Sequence, residues 1–330
     1  MSTKKMIPET PKTAWFNISK TSSPRLPDHM IRRELLLAKL DEALHCQISY
    51  LVAPAGYGKS TLLSQWCDEL TKQKIACAWL NLDASDDEIC GFFSYLVLAL
   101  EGAGIDIGSL KTGAENGFQH LSETSIGTEI LSLFDSLNQK LVLILDDYHM
   151  VSSTKVADFL HALQMCGHGM LHVSFASRES IGGNSPAILA SGNAVAIDAR
   201  ELKFSDREVC SVLGQELDKE TLGALQEKVE GWPFAVQMTR ISAQSGDLKS
   251  AISSLCGHHG HIGDYLIHQV VDNLPENLSD FVIKTSLLDK FNLELADEIC
   301  GNHGGQDAIN DLSMMAEANG RSPYWISSTV

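Results

Sequence analysis

The length of 330 residues exceeds what one hydrophobic core usually organises and predicts about two or three domains, and a composition of 44% hydrophobic and 20% charged residues excludes a largely disordered chain. The formal charge of −17 at pH 7 repels phosphate backbones, so we expect no direct nucleic-acid binding by this chain. No apolar run approaches the roughly 20 residues of a membrane-spanning helix and the N-terminus lacks an apolar secretory core, which predicts a cytoplasmic protein with no membrane partner.

The cysteines are scattered singly along the chain, and no two form a C-x-x-C pair. This spacing is typical of reduced, buried cysteines that act as small hydrophobic residues, and it argues against disulfides or a zinc site. The eight positions are Cys46, Cys67, Cys77, Cys90, Cys166, Cys210, Cys256 and Cys300.

The first stretch that indicates a chemistry is LVAPAGYGKSTLLSQW, residues 51–66. Residues 50–53 are predicted to form a strand, residues 54–58 a turn that needs the tolerance of glycine for positive φ, and the chain from Thr61 onward a helix. Backbone N–H groups of such a turn point inward, and the helix N-terminus adds the positive end of its dipole. The stretch therefore predicts a site for phosphate oxygens.

The side chains of this loop fit the P-loop pattern G-x-x-x-x-G-K-[ST], with Ala53 in place of the first glycine. Lys59 would reach the β- and γ-phosphates of a nucleotide, and the Ser60 hydroxyl would bind Mg²⁺. The alternative is a glycine-rich surface turn followed by a solvated lysine. The predicted nucleotide-binding residues of the loop are Pro54, Ala55, Gly56, Tyr57, Gly58, Lys59, Ser60 and Thr61.

Strand and helix patterns alternate after the P-loop. IACAWLNLD (75–83) indicates a strand. One helix is predicted from residue 87 to Gly102 or Gly104, and another at 124–137. NAVAIDAREL (193–202) is interpreted as the last strand. This alternation predicts an α/β fold, with a doubly wound parallel sheet covered on both faces by helices.

A buried strand that ends in two acids is predicted in KLVLILDDYHM, residues 140–150. Ligands of open α/β sheets bind where strands end, so Asp146 takes the Walker B position that orients Mg²⁺, and Asp147 is a candidate general base that polarises the attacking water. Together with Lys59 these acids form the predicted catalytic set. The alternative is a buried strand that simply meets solvent at two acids.

The strand predicted in MLHVSFASRES, residues 170–180, ends at Arg178. In a doubly wound sheet this arginine emerges beside the γ-phosphate and can report its presence. A solvent-facing arginine at the end of a strand is the simpler alternative.

A helical region follows the sheet. Ser205 and Glu208 form a predicted capping box at the start of a helix that closes on Gly214. Beyond it, apolar residues recur at three- and four-residue spacing through EKVEGWPFAVQMTRISAQ and DYLIHQVVDNL. Pro233 after Gly231-Trp232 is an ordinary helix N-terminal signal.

These motifs together resemble the N-terminal module of MalT-type regulators, the large ATP-dependent LuxR-family transcriptional activators of the STAND class of signalling ATPases. The resemblance covers about residues 24–300 in order and with similar spacing, and small residues other than glycine are usual in that family at the position of Ala53. It rests on SSPRLPDHMIRRELLLAKLDEAL, APAGYGKSTLLSQW, AWLNLDASDDEICGFFSYLVLAL, LVLILDDYHMV, FASR, LKFSDREV, GWPFAVQM and DYLIHQVV.

The resemblance implies an N-terminal extension (1–23), a P-loop NTPase domain (24–202), an all-α helical domain (203–260) and a partial winged-helix-like domain (261–330). It also implies that the chain binds ATP or ADP with Mg²⁺, hydrolyses ATP slowly and self-associates in the ATP-bound state. By the same resemblance Arg178 is the sensor arginine, Pro233 packs near the nucleotide in the inactive state, and Met30, Ile31 and Arg32 within residues 28–32 line the adenine pocket.

The sequence departs from the family at its C-terminal end. MMAEANGRSPYWISSTV loses the helical period, and we expect the chain to be truncated before the inducer-binding repeats and the helix-turn-helix that the family carries. Two alternatives to a nucleotide switch remain open. One is a P-loop metabolic enzyme such as a small-molecule kinase, and the other is an inactive truncated remnant.

Overall fold

The computed structural model describes nine segments of the chain. Asp28, residues 261–273 of the predicted winged-helix-like domain and the first 16 residues of the predicted extension lie outside them. The described segments are 17–27, 29–118, 121–166, 169–179, 192–244, 247–254, 274–285, 293–300 and 305–318.

Five strands form one sheet with the order β2-β3-β4-β1-β5. The interior strand β3 runs parallel to β2 on one side and to β4 on the other, and every residue of β3 and β4 is buried. This confirms the predicted α/β fold, because a strand buried on both faces needs helices above and below the sheet. The strands are β1 (Ile48–Val52), β2 (Ala76–Asn81), β3 (Leu141–Asp146), β4 (Leu171–Ser177) and β5 (Ala194–Asp198).

Helices make up most of the remaining described chain, and within that part of the chain none is both long enough and apolar enough to cross a bilayer. The helices are α1 (Glu34–Glu42), α2 (Lys59–Lys72), α3 (Ile89–Gly102), α4 (Leu110–Glu115), α5 (Glu123–Asp135), α6 (Thr154–Leu163), α7 (Ala199–Leu202), α8 (Asp206–Leu213), α9 (Lys219–Val229), α10 (Pro233–Gln244), α11 (Leu248–Ser254), α12 (Glu276–Thr285), α13 (Leu293–Cys300) and α14 (Gly305–Ala318).

The predicted last strand is too long at its C-terminal end. Strand β5 stops at Asp198, because the Asp198 carboxylate accepts hydrogen bonds from the N–H groups of Arg200 and Glu201 and so caps α7. Helix α2 likewise begins at Lys59, two residues before the predicted start. The capping box of Ser205 and Glu208, and the closure of α8 at Gly214 with φ +69°, are confirmed.

The chain divides into two compact units. The first contains Leu44–Ile48, Cys67–Phe175 and the described part of Met1–Pro24. Its core includes the rings of Phe92, Phe93 and Phe159, and the Phe93 and Phe159 centroids lie 4.8 Å apart in an edge-to-face arrangement.

The second unit contains Arg25–Ala43, Ser49–Trp66 and the described part of Ala176–Val330. Buried residues of α8 to α11 form one cluster, with Val209, Leu225 and Val236 fully enclosed. Helices α12 to α14 form a separate small cluster around Leu278 and Phe281. The described residues of the second unit therefore contain two separate helical apolar clusters.

Candidate functional site

The predicted phosphate-binding loop follows β1 in the second unit. The N–H of Ala53 donates a hydrogen bond of 3.2 Å to the carbonyl of Ser177, the last residue of β4. Gly56 and Gly58 both have φ +78°, a conformation that side-chain-bearing residues rarely adopt. Helix α2 starts directly after the second glycine. The turn conformation expected from the sequence is thus confirmed.

Lys59 lies under this loop, with only 7% of the residue exposed. Its ammonium group donates hydrogen bonds to the carbonyl oxygens of Ala53 (2.7 Å) and Pro54 (3.2 Å). A buried ammonium must be neutralised or hydrogen-bonded, and here the main chain of the loop supplies acceptors. The lysine is therefore held at the mouth of the loop instead of extending into water.

Helix α2 also holds the segment that the resemblance assigns to the adenine pocket. The side-chain amide of Gln65 donates to the carbonyl of Ile31 (2.7 Å), and its oxygen accepts from the N–H of Arg33 (3.3 Å). Gln65 is itself buried, so both ends of the amide are satisfied by main-chain groups. This amide fixes the backbone of the segment relative to the loop that opens the same helix.

Arg33 connects the same segment to the chain around α7. Its guanidinium donates to the carbonyls of Leu202 (3.0 Å) and Lys203 (3.1 Å), pairs with Glu208 at 2.5 Å and lies 4.9 Å from the ring centroid of Phe204. Burial lowers the pKa of Arg33, although the neighbouring Glu208 carboxylate opposes that shift. An arginine remains protonated in this setting, so Arg33 acts as a fixed cation.

Residues 231–234, which we call the GWPF segment, contact the loop directly. The indole N–H of Trp232 donates to the carbonyl of Ala55 (3.3 Å), and the N–H of Phe234 donates to the carbonyl of Gly56 (3.1 Å). A Cβ at Gly56 would lie 2.9 Å from both Phe234 Cβ and Trp232 Nε1. Glycine is therefore required at position 56 by close packing as well as by φ.

A cavity of about 340 Å³ lies within the second unit, beside the loop. Of the predicted binding residues it is lined by Met30, Ile31, Gly56, Tyr57, Gly58, Thr61 and Pro233. Arg32 is not among the lining residues; its side chain is about half exposed and pairs with Glu34 at 2.6 Å, while Arg33 lines the wall. Pro54, Ala55, Lys59 and Ser60 belong to the loop but do not line this cavity. One space thus joins three stretches that are distant in sequence.

Asp146 and Asp147 lie in the first unit, at the carboxyl end of β3. Asp146 is 4% exposed, accepts a hydrogen bond from the N–H of Asp147 (3.1 Å) and lies in register with Asn81 of β2. Asp147 has left-handed backbone angles, φ 55° and ψ 38°. Aspartate tolerates this conformation better than most residues, and such outliers cluster at functional sites.

Arg178 follows β4 in the second unit and is partly exposed. The preceding residue, Ser177, accepts the hydrogen bond from Ala53, so the end of β4 lies beside the start of the predicted phosphate-binding loop. Arg178 therefore emerges at the edge of the sheet where the loop begins.

Comparison with known proteins identifies the relatives of this chain. It is 27% identical over 302 residues to the HTH-type transcriptional regulator MalT of Cronobacter sakazakii, and 28% identical over 304 residues to that of Klebsiella pneumoniae (strain 342). Each alignment covers 89% of this chain. Residues 267–316 match the family model of the MalT winged helix domain. The chain is thus similar to MalT-type regulators over most of its own length. The chain spans about a third of the length of the curated relatives it matches, 33% in both cases.

A solved structure supports the fold. The Walker-type ATPase paby2304 of Pyrococcus abyssi superposes with a TM-score of 0.59, and the match covers 89% of this chain and 91% of the solved chain at 14% sequence identity. At this identity the likeness establishes the fold alone.

The two glycines of the loop are expected to respond differently to alanine. In Gly56→Ala the strained φ is combined with contact to Trp232 and Phe234, and we expect a loss of about 2–4 kcal/mol in the free energy of unfolding. In Gly58→Ala no atom lies within 4 Å of the new Cβ, so only the backbone strain of about 1–2 kcal/mol applies. Urea denaturation of both variants measures the difference, and equal losses would show that the GWPF segment does not constrain the loop.

Several residues of this site were not predicted from the sequence. Gln65, Trp232 and Phe234 lie within motifs of the sequence, but their hydrogen bonds to residues 31 and 55–56 connect positions far apart in the chain. Arg33 and Asn81 were also missed. Arg33 directly follows Arg32, and Asn81 lies two positions before Asp83, so both lie next to residues of the sequence motifs. Their contacts, however, depend on how distant segments pack.

Proposed function

We propose that this module binds ATP and ADP at the loop of residues 53–61 and serves as a slowly hydrolysing nucleotide switch within a MalT/LuxR-type transcriptional regulator. The observation that carries the proposal is the position of Lys59, whose ammonium bonds to the carbonyls of Ala53 and Pro54 beneath a loop with two left-handed glycines. A phosphate at the loop offers that ammonium a charged acceptor in place of neutral carbonyls, and charge-assisted hydrogen bonds are about twice as strong.

Other residues of the chain supply groups suited to the other parts of a nucleotide. Met30 and Ile31 give the cavity an apolar wall suited to a base, and the main chain around them is held by Gln65. The Ser60 hydroxyl and the Asp146 carboxylate are oxygen ligands of the kind that Mg²⁺ prefers. When bound, Mg²⁺ supplies positive charge against the phosphates. In this proposal Asp147 polarises the attacking water and Arg178 senses the γ-phosphate.

Coupling between nucleotide and conformation would run through the GWPF segment. Trp232 and Phe234 bond to Ala55 and Gly56 of the loop, so a change in the loop on nucleotide binding alters the contacts of α10. ATP must bind one conformation better than the other, because equal affinities shift no population. We propose that the ATP-bound form self-associates. The relatives are HTH-type transcriptional regulators. In this proposal DNA is recognised by other parts of such a regulator, and the 330 residues of this chain do not contact DNA.

Hydrolysis and binding are expected to separate in the acidic variants. Asp146→Asn and Asp147→Asn should each slow phosphate release about 100-fold or more, because each removes a carboxylate that acts in the transition state of hydrolysis. Neither carboxylate is needed to bind the adenine base or to hold the loop in place. Binding of a fluorescent ATP analogue should weaken less than about tenfold. The measurements are phosphate release without an added acceptor and fluorescence titration.

The matched control is Asp158→Asn on the exposed face of α6, which should change neither value. Parent-like turnover in Asp146→Asn would remove this acid from the mechanism. Phosphate transfer that requires an added acceptor would instead favour a small-molecule kinase.

A further inference from the structure

A second cavity, of about 520 Å³, lies within the first unit. The short N-terminal helix Ile18–Thr21 and the residues around it form one wall, and Tyr95 and Ala99 of α3 contribute another. Two cysteines, Cys67 and Cys77, also line it. The nucleotide proposal uses no residue of this cavity.

The chain brings these cysteines together by reversing after α2. The N–H of Ile75 returns to the carbonyl of Leu70 (2.9 Å), and Lys74 takes a left-handed φ of 59° at the reversal. Cys67 on α2 and Cys77 near the start of β2 therefore line the same cavity, and each thiol shifts the pKa of the other. Both are free and half-buried, whereas full burial was expected. Two neighbouring thiols that share one cavity are the starting arrangement for a disulfide, whose S–S bond is about 2.05 Å.

The two thiols differ in their tendency to ionise. The hydrogen bond from the Cys77 thiol lowers the pKa of Cys67, against opposing effects of burial and of the nearby Asp68 carboxylate. The same hydrogen bond and burial raise the pKa of Cys77. The thiolate is the reactive form of cysteine. Cys67 is therefore the nucleophile of the pair, and Cys77 is the thiol positioned to react with it next.

We propose that Cys67 and Cys77 form a modification site for hydroperoxides, at which the pair is oxidised reversibly to an intramolecular disulfide. The Cys67 thiolate attacks one oxygen of hydrogen peroxide, the O–O bond breaks, and the released hydroxide takes up a proton to become water. Cys67 is then a sulfenic acid. The Cys77 sulfur attacks the Cys67 sulfur, the S–O bond breaks, and the second oxygen leaves as water with the proton of Cys77. Two thiols are oxidised, and one peroxide is reduced to two waters.

The surroundings distinguish this pair from the other described cysteines. The cavity gives a small oxidant access to both sulfurs, and it is lined by none of Cys46, Cys90, Cys166 or Cys210. Burial and neighbouring carboxylates raise the pKa of both Cys90 and Cys166, so these thiols are less reactive. Cys90 is a useful control because it lies on the same stretch of chain between Ile75 and Lys111 as Cys77.

The test is peptide mapping of the full chain after treatment with hydrogen peroxide. Trypsin cuts after Lys59, Lys72, Lys74 and Lys111, which places Cys67 and Cys77 on separate peptides. We expect a linked pair of these peptides, two hydrogens lighter than their sum, that fragmentation assigns to Cys67 and Cys77 and that dithiothreitol reverses. Cys90→Ser should keep the linked pair. Cys77→Ser should lose it and should oxidise more slowly at Cys67, because the hydrogen bond that lowers the pKa of Cys67 is removed.

The peroxide experiment on the unsubstituted chain can overturn the proposal by itself, even if the cysteine variants do not fold. Peroxide that converts Cys67 to sulfinic acid without a linked peptide would show that Cys77 does not resolve it. Linkage spread evenly over several cysteine pairs, or found only between two copies of the chain, would show that this cavity has no special reactivity.

Discussion

Lys59→Ala is expected to weaken ATP binding by about 100-fold or more, equivalent to about 2.7 kcal/mol or more. The substitution removes the only charged side chain of the loop at residues 53–61, and the loss of a charge-assisted hydrogen bond to phosphate accounts for an effect of this size. The measurement is isothermal titration calorimetry with ATP and with ADP, in the presence and absence of Mg²⁺.

Lys72→Ala provides the matched control. Lys72 lies at the other end of the same helix, is 68% exposed and pairs with Glu69 at the surface, so its loss should leave ATP affinity unchanged. Circular dichroism melting of both variants establishes that each is folded. Unchanged ATP affinity in a folded Lys59→Ala chain would contradict nucleotide binding at this loop, and the dithiol experiment on Cys67 and Cys77 would be unaffected by that outcome.

Gly231→Ala should destabilise the second unit by about 3 kcal/mol. Gly231 has φ +72°, and a Cβ there would lie 2.7 Å from the carbonyl oxygen of Phe204. That contact is with main chain, which cannot rotate away as a side chain can. The N–H of Phe204 also donates a 2.7 Å hydrogen bond to the carbonyl of Gly231, so a displacement would strain this bond as well. Urea denaturation followed by circular dichroism measures the loss.

Gly223→Ala is the control for Gly231→Ala, because it makes the same substitution at a position where a methyl group meets no other atom. Gly223 lies in α9 and is exposed, and a Cβ at this position would have no neighbouring atom within 4 Å. Alanine there should therefore stabilise the chain by about 0.5–1 kcal/mol through helix propensity. A pair of variants with opposite signs is the expected result. If both glycine substitutions stabilise the chain, residue 231 does not approach residue 204 closely enough to exclude a methyl group.

Features that depend on neighbours in the sequence were predictable. The loop before α2 was predicted because Gly56 and Gly58 supply φ values that few other residues adopt. Strand β3 followed from five consecutive apolar residues, and the start of α8 from a cap in which Ser205 and Glu208 satisfy each other. In each case the deciding interactions lie within a few residues.

Local patterns failed where two local signals competed. Residues 193–202 alternate like a strand, yet the Asp198 carboxylate captures two N–H groups and begins α7. The proximity of Cys67 and Cys77 was also not predictable from the sequence. Their spacing matches no cysteine motif, and only the reversal at Lys74 brings helix and strand together.

By itself the sequence determined the conformation of the loop at residues 53–58, the acid-terminated strand and the order of strands and helices along the chain, because backbone conformation and hydrophobic period are encoded by adjacent residues. Only the tertiary structure decided what surrounds the loop. Trp232 bonds to Ala55 across 177 positions, and Arg33 bonds to Leu202 across 169. Such contacts exist only when packing has already placed both segments, since the local sequence of either one carries no information about its distant partner.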